Sequence, residues 1–327
     1  VSGDDVRKLF IALRGLANVF FLNGKVKDTR RLVDRLEVMA LEQDDTGMCL
    51  EAFRAAGMCA LFMGDFGAAL ENLQRANAMY ERVRHHALAF VYGTDPAVVG
   101  LSGAAWANWF LGDPEEAGNS CDAALELAID LDHPFSLTYA QSLAASLHQF
   151  RRQPEAVLVH AEAAIANATE HDYPYWRGWA GIMRGWALGV LGNPSEGIDV
   201  LRRGFEIYEG TGAKQIGPYV QTMLAELYGL AGLPEKGIDA LNEAFGPGNT
   251  TDVCFFEAEA LRIHGELLRQ SDSGDGLDYF TRAMDLARGQ GARALELRAA
   301  LSAAAAARQN GDAAAAPQAP GAQETHP

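Results

Sequence analysis

Glycine returns at the same kind of place along this chain, roughly every forty residues, and nothing else in it restricts the fold so tightly. The turn positions read as Gly24, Gly64, Gly112, Arg151, Gly192 and Gly232, separated by 40, 48, 39, 41 and 40 residues. Tyr92–Pro134 shows the unit most completely. An apolar stretch from about Pro96 to Leu111 is closed by Gly112, where glycine tolerates a left-handed cap. Asp113 then caps a second helix, with Pro114 at the first helical position, where a missing N–H costs nothing. The second helix runs to about Leu131 and stops at His133-Pro134.

Small residues keep step with the turns. Ala105, Ala117 and Ala124 sit seven residues before and five and twelve after Gly112, so that two antiparallel helices can pack closely. The trio recurs as Gly57, Ala69, Ala76; Ala144, Ala156, Ala163; Gly185, Gly197, Gly204; and Ala225, Gly237, Ala244. The first unit keeps only Ala17, with Thr29 and Leu36 in the other places, and a seventh has Gly265, Gly276 and Ala283. The pattern predicts an all-α protein: an α-solenoid of about seven tetratricopeptide-like hairpins, winding as a right-handed superhelix over residues 1–311. The Ala/Pro-rich stretch 312–327 has no apolar period and is expected to be disordered.

Within the solenoid the spacing predicts helices over 4–23, 25–42, 46–63, 65 to about 83, 96–111 and onward to a last helix at 293–309. The extra residues from His85 to Pro96 read as an inserted loop, either a structural plug or a binding element. Residues 210–217 and 246–252 read as connectors, with the seventh pair starting at Cys254.

A net charge of −16 argues against nucleic acid and against anionic membranes, and no apolar run is long enough to span a bilayer. No signal-peptide pattern opens the sequence. Four cysteines without a CxxC pair fit buried thiols in a reducing cytoplasm. No metal site, cofactor motif or catalytic motif emerges; Gly210–Lys214 lacks the spacing of a phosphate loop. The expectation is therefore a non-enzyme that works through a surface and binds a protein or peptide. Positions thirteen, ten, six and three residues before the turns at Gly64, Gly112, Arg151, Gly192 and Gly232 should point into the concave side. They include Arg54, Trp106, Trp109, His148, Trp179, Trp186 and Tyr219, the candidate binding residues. Aromatics beside a cationic or imidazole group offer large contact area at small entropic cost.

The stretches YGTDPAVVGLSGAAWANWFLGDPEEA, HPFSLTYAQSLAASLHQFRR, RGWAL, GPYVQTMLAELYG and FEAEALRIHGELL resemble the C-terminal repeat region of bacterial signalling proteins. Those proteins carry an adenylate/guanylate cyclase domain, then a STAND-type ATPase, then tetratricopeptide repeats. The resemblance spans roughly residues 1–305 and implies a sensing or partner-binding arm. The cyclase and ATPase are absent from this sequence, so a cyclase name would describe the parent architecture only. The sensing arm of a STAND-type transcription regulator is the alternative.

Overall fold

The computed structural model describes residues 3–309 apart from Pro247, Asp272 and Asp275. It is a tetratricopeptide-like solenoid of helix hairpins, with no strand among the described residues. The expected tail 312–327 lies outside them. The hairpins are α1 (Gly3–Leu22) with α2 (Val26–Gln43), then α3 (Thr46–Phe62) with α4 (Phe66–Met79). Short turns follow: α5 (Arg82–His85), a 3-10 turn (His86–Leu88) and α6 (Ala89–Tyr92). The hairpins resume as α7 (Pro96–Leu111) with α8 (Pro114–Asp130), α9 (Pro134–Phe150) with α10 (Pro154–Glu170), and α11 (Pro174–Val190) with α12 (Pro194–Glu209). Then come α13 (Gly217–Leu230) with α14 (Pro234–Phe245), α15 (Glu257–Gln270) with α16 (Leu277–Gly289), and α17 (Arg293–Gln309).

The turns are left-handed where glycine marks them: φ is 74° at Gly24, 76° at Gly64, 91° at Gly112, 109° at Gly192 and 72° at Gly232. In the fourth hairpin the left-handed residue is Arg152 (φ 61°), one place later than the expected Arg151. With Arg152 in register the period is 40 residues throughout, broken only by the insertion, and Pro114, Pro154, Pro194 and Pro234 each open an outer helix. The packing trio of that hairpin is accordingly Ala145, Val157 and Ala164, each fully buried, in place of Ala144, Ala156 and Ala163.

The insertion is not an open loop. Asp95 is fully buried and ties it down. Its carboxylate accepts from Ala97 N–H (2.9 Å) and from Tyr80 O–H (2.8 Å), while its own N–H donates to Ser136 Oγ (2.9 Å). Helix α4 stops at Met79, four residues short of expectation.

Between α11 and α12 the backbones nearly touch. A Cβ at Gly204 would lie 2.6 Å from the Ile182 nitrogen, one at Gly178 2.6 Å from the Tyr208 nitrogen, and one at Gly185 would collide with Leu201. Glycine is the residue that allows such an approach.

The rod does not stay open. Residues 251–256, expected partly as connector and partly as helix, run as a non-helical strap, 251–254 without regular structure and 255–256 in a turn, before α15 begins at Glu257. A buried strap needs partners for its backbone groups, and the C-terminal carbonyls of helices are unsatisfied by the helix itself. Cys254 N–H donates to Phe62 O, the last residue of α3 (3.1 Å), and Asp252 N–H to Gly24 O (2.8 Å). From the connector before α13, Lys214 N–H donates to Leu22 O, the last residue of α1 (2.7 Å). Arg298 of α17 donates to Phe150 O, the last residue of α9, and α17 packs on α7. The back half of the solenoid thus fastens onto the inner-helix ends of the front half.

A candidate ligand pocket on the inner face

The inner helices are α1, α3, α7, α9, α11 and α13. Of the inward positions, Trp106 and Tyr219 gather at the end of the concave side that the strap occupies, and Arg14, Arg54, Tyr139 and Trp179 line a cavity at the other. The two ends meet different fates.

At the first end the chain fills its own groove. Phe255 of the strap sits with its ring centroid 5.1 Å from Phe62, 5.9 Å from Trp106 and 5.4 Å from Tyr219; Phe256 lies 4.8 Å from Tyr219. Trp106 is fully buried and donates its indole N–H to Leu143 O (3.0 Å). Trp109 is covered by the Arg298 guanidinium, 5.0 Å from its ring. Tyr219 O–H donates to Gln149 Oε1 (2.8 Å). Trp186 donates to Glu226 Oε2 (2.8 Å) under the guanidinium of Arg152. Trp106, Trp109, Trp186 and Tyr219 were expected on an open groove; the strap and α17 seal the first two and Tyr219, and an ion pair lids Trp186. His148 also departs from expectation. With the turn at Arg152, Gln149 takes the inward place and His148 turns outward, stacking on His160 at 5.1 Å. The shift follows from one residue of register.

At the other end a cavity of about 640 Å³ stays open. Arg54 and Trp179, both expected, line it, and so do Arg14, Tyr92, Tyr139 and Trp176. Arg14, Tyr139 and Trp179 occupy the ten- or thirteen-residue positions of their hairpins; Tyr92 comes from the insertion. The aromatic wall is continuous: Tyr139 and Trp176 are 5.1 Å apart, and Trp176 and Trp179 5.7 Å. Thr211–Ala213, stapled to α1 through Lys214, form part of the rim.

The charges here are unbalanced. Glu51 is fully buried and both its oxygens are taken by Arg54, at 3.0 and 3.2 Å from Nε and 2.7 Å from Nη2. Arg14 is 9% exposed; its Nε lies 3.4 Å from Glu51 Oε2 but has no hydrogen-bond partner. Two guanidiniums therefore share one carboxylate. Burial, and then Arg54, pull the Arg14 guanidinium down to about 10, against the opposing pull of Glu51. It stays charged at neutral pH. Two further enclosed polar atoms of the lining lack partners: Trp176 Nε1 and Gln215 Oε1.

Sequence reasoning missed Arg14, Tyr139 and Trp176. The counting rule, carried back from Gly24 and from the corrected Arg152, reaches the first two; Trp176 lies outside it. Among the described residues no cluster of three or more metal-ligating side chains occurs, and no helix is long and apolar enough to cross a membrane. Burial raises the thiols of Cys59 and Cys121 to about 12, far from the reactive range.

No protein-family model matches the chain. An uncharacterised protein of Rhizobium meliloti (strain 1021) is 28% identical over 210 residues, which cover 63% of this chain and 20% of that protein. The chain thus spans about a fifth of the length of the curated relative it matches. Among solved structures, a Signal Transduction ATPase with Numerous Domains (STAND) protein with a tetratricopeptide repeat sensor, from Pyrococcus horikoshii, superposes with a TM-score of 0.50 at 15% identity. That match covers 92% of this chain and 44% of the archaeal one. The likeness is one of fold.

Proposed function

We propose that this chain is a regulatory repeat arm that senses a ligand for a larger signalling protein and performs no chemistry of its own. The observation that carries the reading is the uneven use of the inner face. The chain seals one end with its own strap, yet leaves beside it a walled cavity among whose lining residues Arg14, Trp176 and Gln215 each keep a buried polar atom without a partner. A spacer gains nothing from a cavity of that kind, since unsatisfied buried polar groups destabilise a fold. The neighbour of known structure is described as a STAND protein with a repeat sensor, which supports the same reading. A cyclase or ATPase partner in the parent protein, as the sequence resemblance implies, is the finer form of the proposal; a protein or peptide remains the expected output partner, in the cytoplasm.

The small-molecule fraction of a source-cell extract should raise the melting temperature of the pure chain. With ATP or GTP and a divalent metal, the chain should yield neither cyclic nucleotide nor phosphate. Product release in the second assay, or the absence of any shift in the first, contradicts the reading.

A further inference from the structure

We infer that the pocket between α1, α3, α9 and α11 takes a small organic acid, a flat unsaturated or aromatic body bearing one anionic group, with Arg14 as the group that receives the charge. The inference rests on the sensing role proposed above and supplies its ligand class.

Three observations converge. The first is charge. The chain as a whole carries −16, yet its inner pocket is lined by Arg14 and Arg54 and by no acidic residue, with the buried Glu51 pairing them from behind. Arg54 engages both carboxylate oxygens, so the surplus positive charge lies on Arg14. A planar guanidinium that lines the pocket and only shares a carboxylate suits a carboxylate, sulfonate or phosphate. The second is shape. About 640 Å³ lies within the range of small-molecule sites and is too little for a folded segment. The third is lining. The Tyr139–Trp176–Trp179 wall offers ring faces and edges against which a flat body can stack. An apolar ligand would leave the guanidinium unanswered, and a cation would be repelled by it.

A dye pair tests the inference on the intact chain: anilinonaphthalene sulfonate, a flat aromatic monoanion, and phenylnaphthylamine, the same ring body without the acid. The sulfonate should bind saturably at one site and quench the emission of the wall tryptophans, while the neutral dye binds at least about tenfold more weakly, as expected for loss of a charge-assisted hydrogen bond. Arg14→Met keeps the aliphatic stem and leaves Glu51 paired with Arg54. It should lower sulfonate affinity by about tenfold or more, leave the neutral dye unchanged, and keep or raise the melting temperature, because it removes an under-satisfied buried charge. Equal affinity of the two dyes for the native chain overturns the inference without any variant being made. So does native sulfonate affinity in Arg14→Met, or a large fall in its melting temperature, which makes Arg14 structural. Hydrogen exchange in α1 and residues 210–216 separates this claim from the sensing role. Arg14-dependent binding without added protection there keeps the ligand class and sinks the sensing role; protection by the neutral dye alone does the reverse.

Discussion

Side chains of similar type do different work here because of where the strap lies. Trp106 touches Phe62, Phe150, Phe255 and Trp179 and holds Leu143 O, so Trp106→Ala should cost about 3–5 kcal/mol in urea unfolding. Glu259 illustrates a buried charge that is answered. Burial alone would raise its carboxyl, but Arg262 and then Arg298 outweigh that and hold it at about 2. A depressed carboxylate contributes stability above its unfolded value, and that contribution fades as pH falls from about 4.5 toward 2. Glu259→Gln should therefore lower stability at pH 7 by about 3 kcal/mol and flatten the acid limb of a stability–pH curve. Arg14 is the opposite case, a buried charge only half answered. It escaped the sequence reading because the first hairpin keeps only one of its small residues, which made its inward positions easy to pass over.

At the scale of helices, glycine decides how near two axes come. Gly185→Ala in α11 should destabilise the protein by about 2 kcal/mol or more, since the clash with Leu201 outweighs the gain in helix propensity. Gly15 lies on the exposed face of α1 with open space where a Cβ would be, and Gly15→Ala should stabilise by about 0.5–1 kcal/mol. Thermal unfolding of the two variants checks both signs. Most of this level was legible: hairpin order, turn glycines and small-residue trios all follow from the 40-residue period. The fourth hairpin slipped by one residue because an arginine takes the left-handed place, so no glycine marks it. The signal that resolves the slip is Pro154, in step with Pro114, Pro194 and Pro234. That single residue also decides whether His148 or Gln149 faces inward.

At the scale of the whole molecule, the local pattern stops being informative. A repeat sequence specifies each hairpin and its neighbour, whereas closure accumulates from small rotations over many repeats and depends on contacts far apart in sequence. Two adjacent aromatics, Phe255 and Phe256, at the expected start of the seventh pair and directly after the connector, are the available sign that this stretch is buried. The closed form also accounts for the candidate site: the strap and α17 fill the groove at one end and so confine the free space to the pocket at the other. Phe255→Ala should loosen this arrangement and weaken ligand binding at a distance, measurable as a loss of dye affinity without change in the pocket residues. The closure itself is tested most directly by amide hydrogen exchange at Asp252 and Cys254, which lie outside any helix and donate to Gly24 O and Phe62 O. Protection comparable to that of the inner helices, lost in Phe255→Ala, is the result expected of a strap fastened inside the solenoid; exchange at the rate of an unstructured loop in the native chain would contradict it.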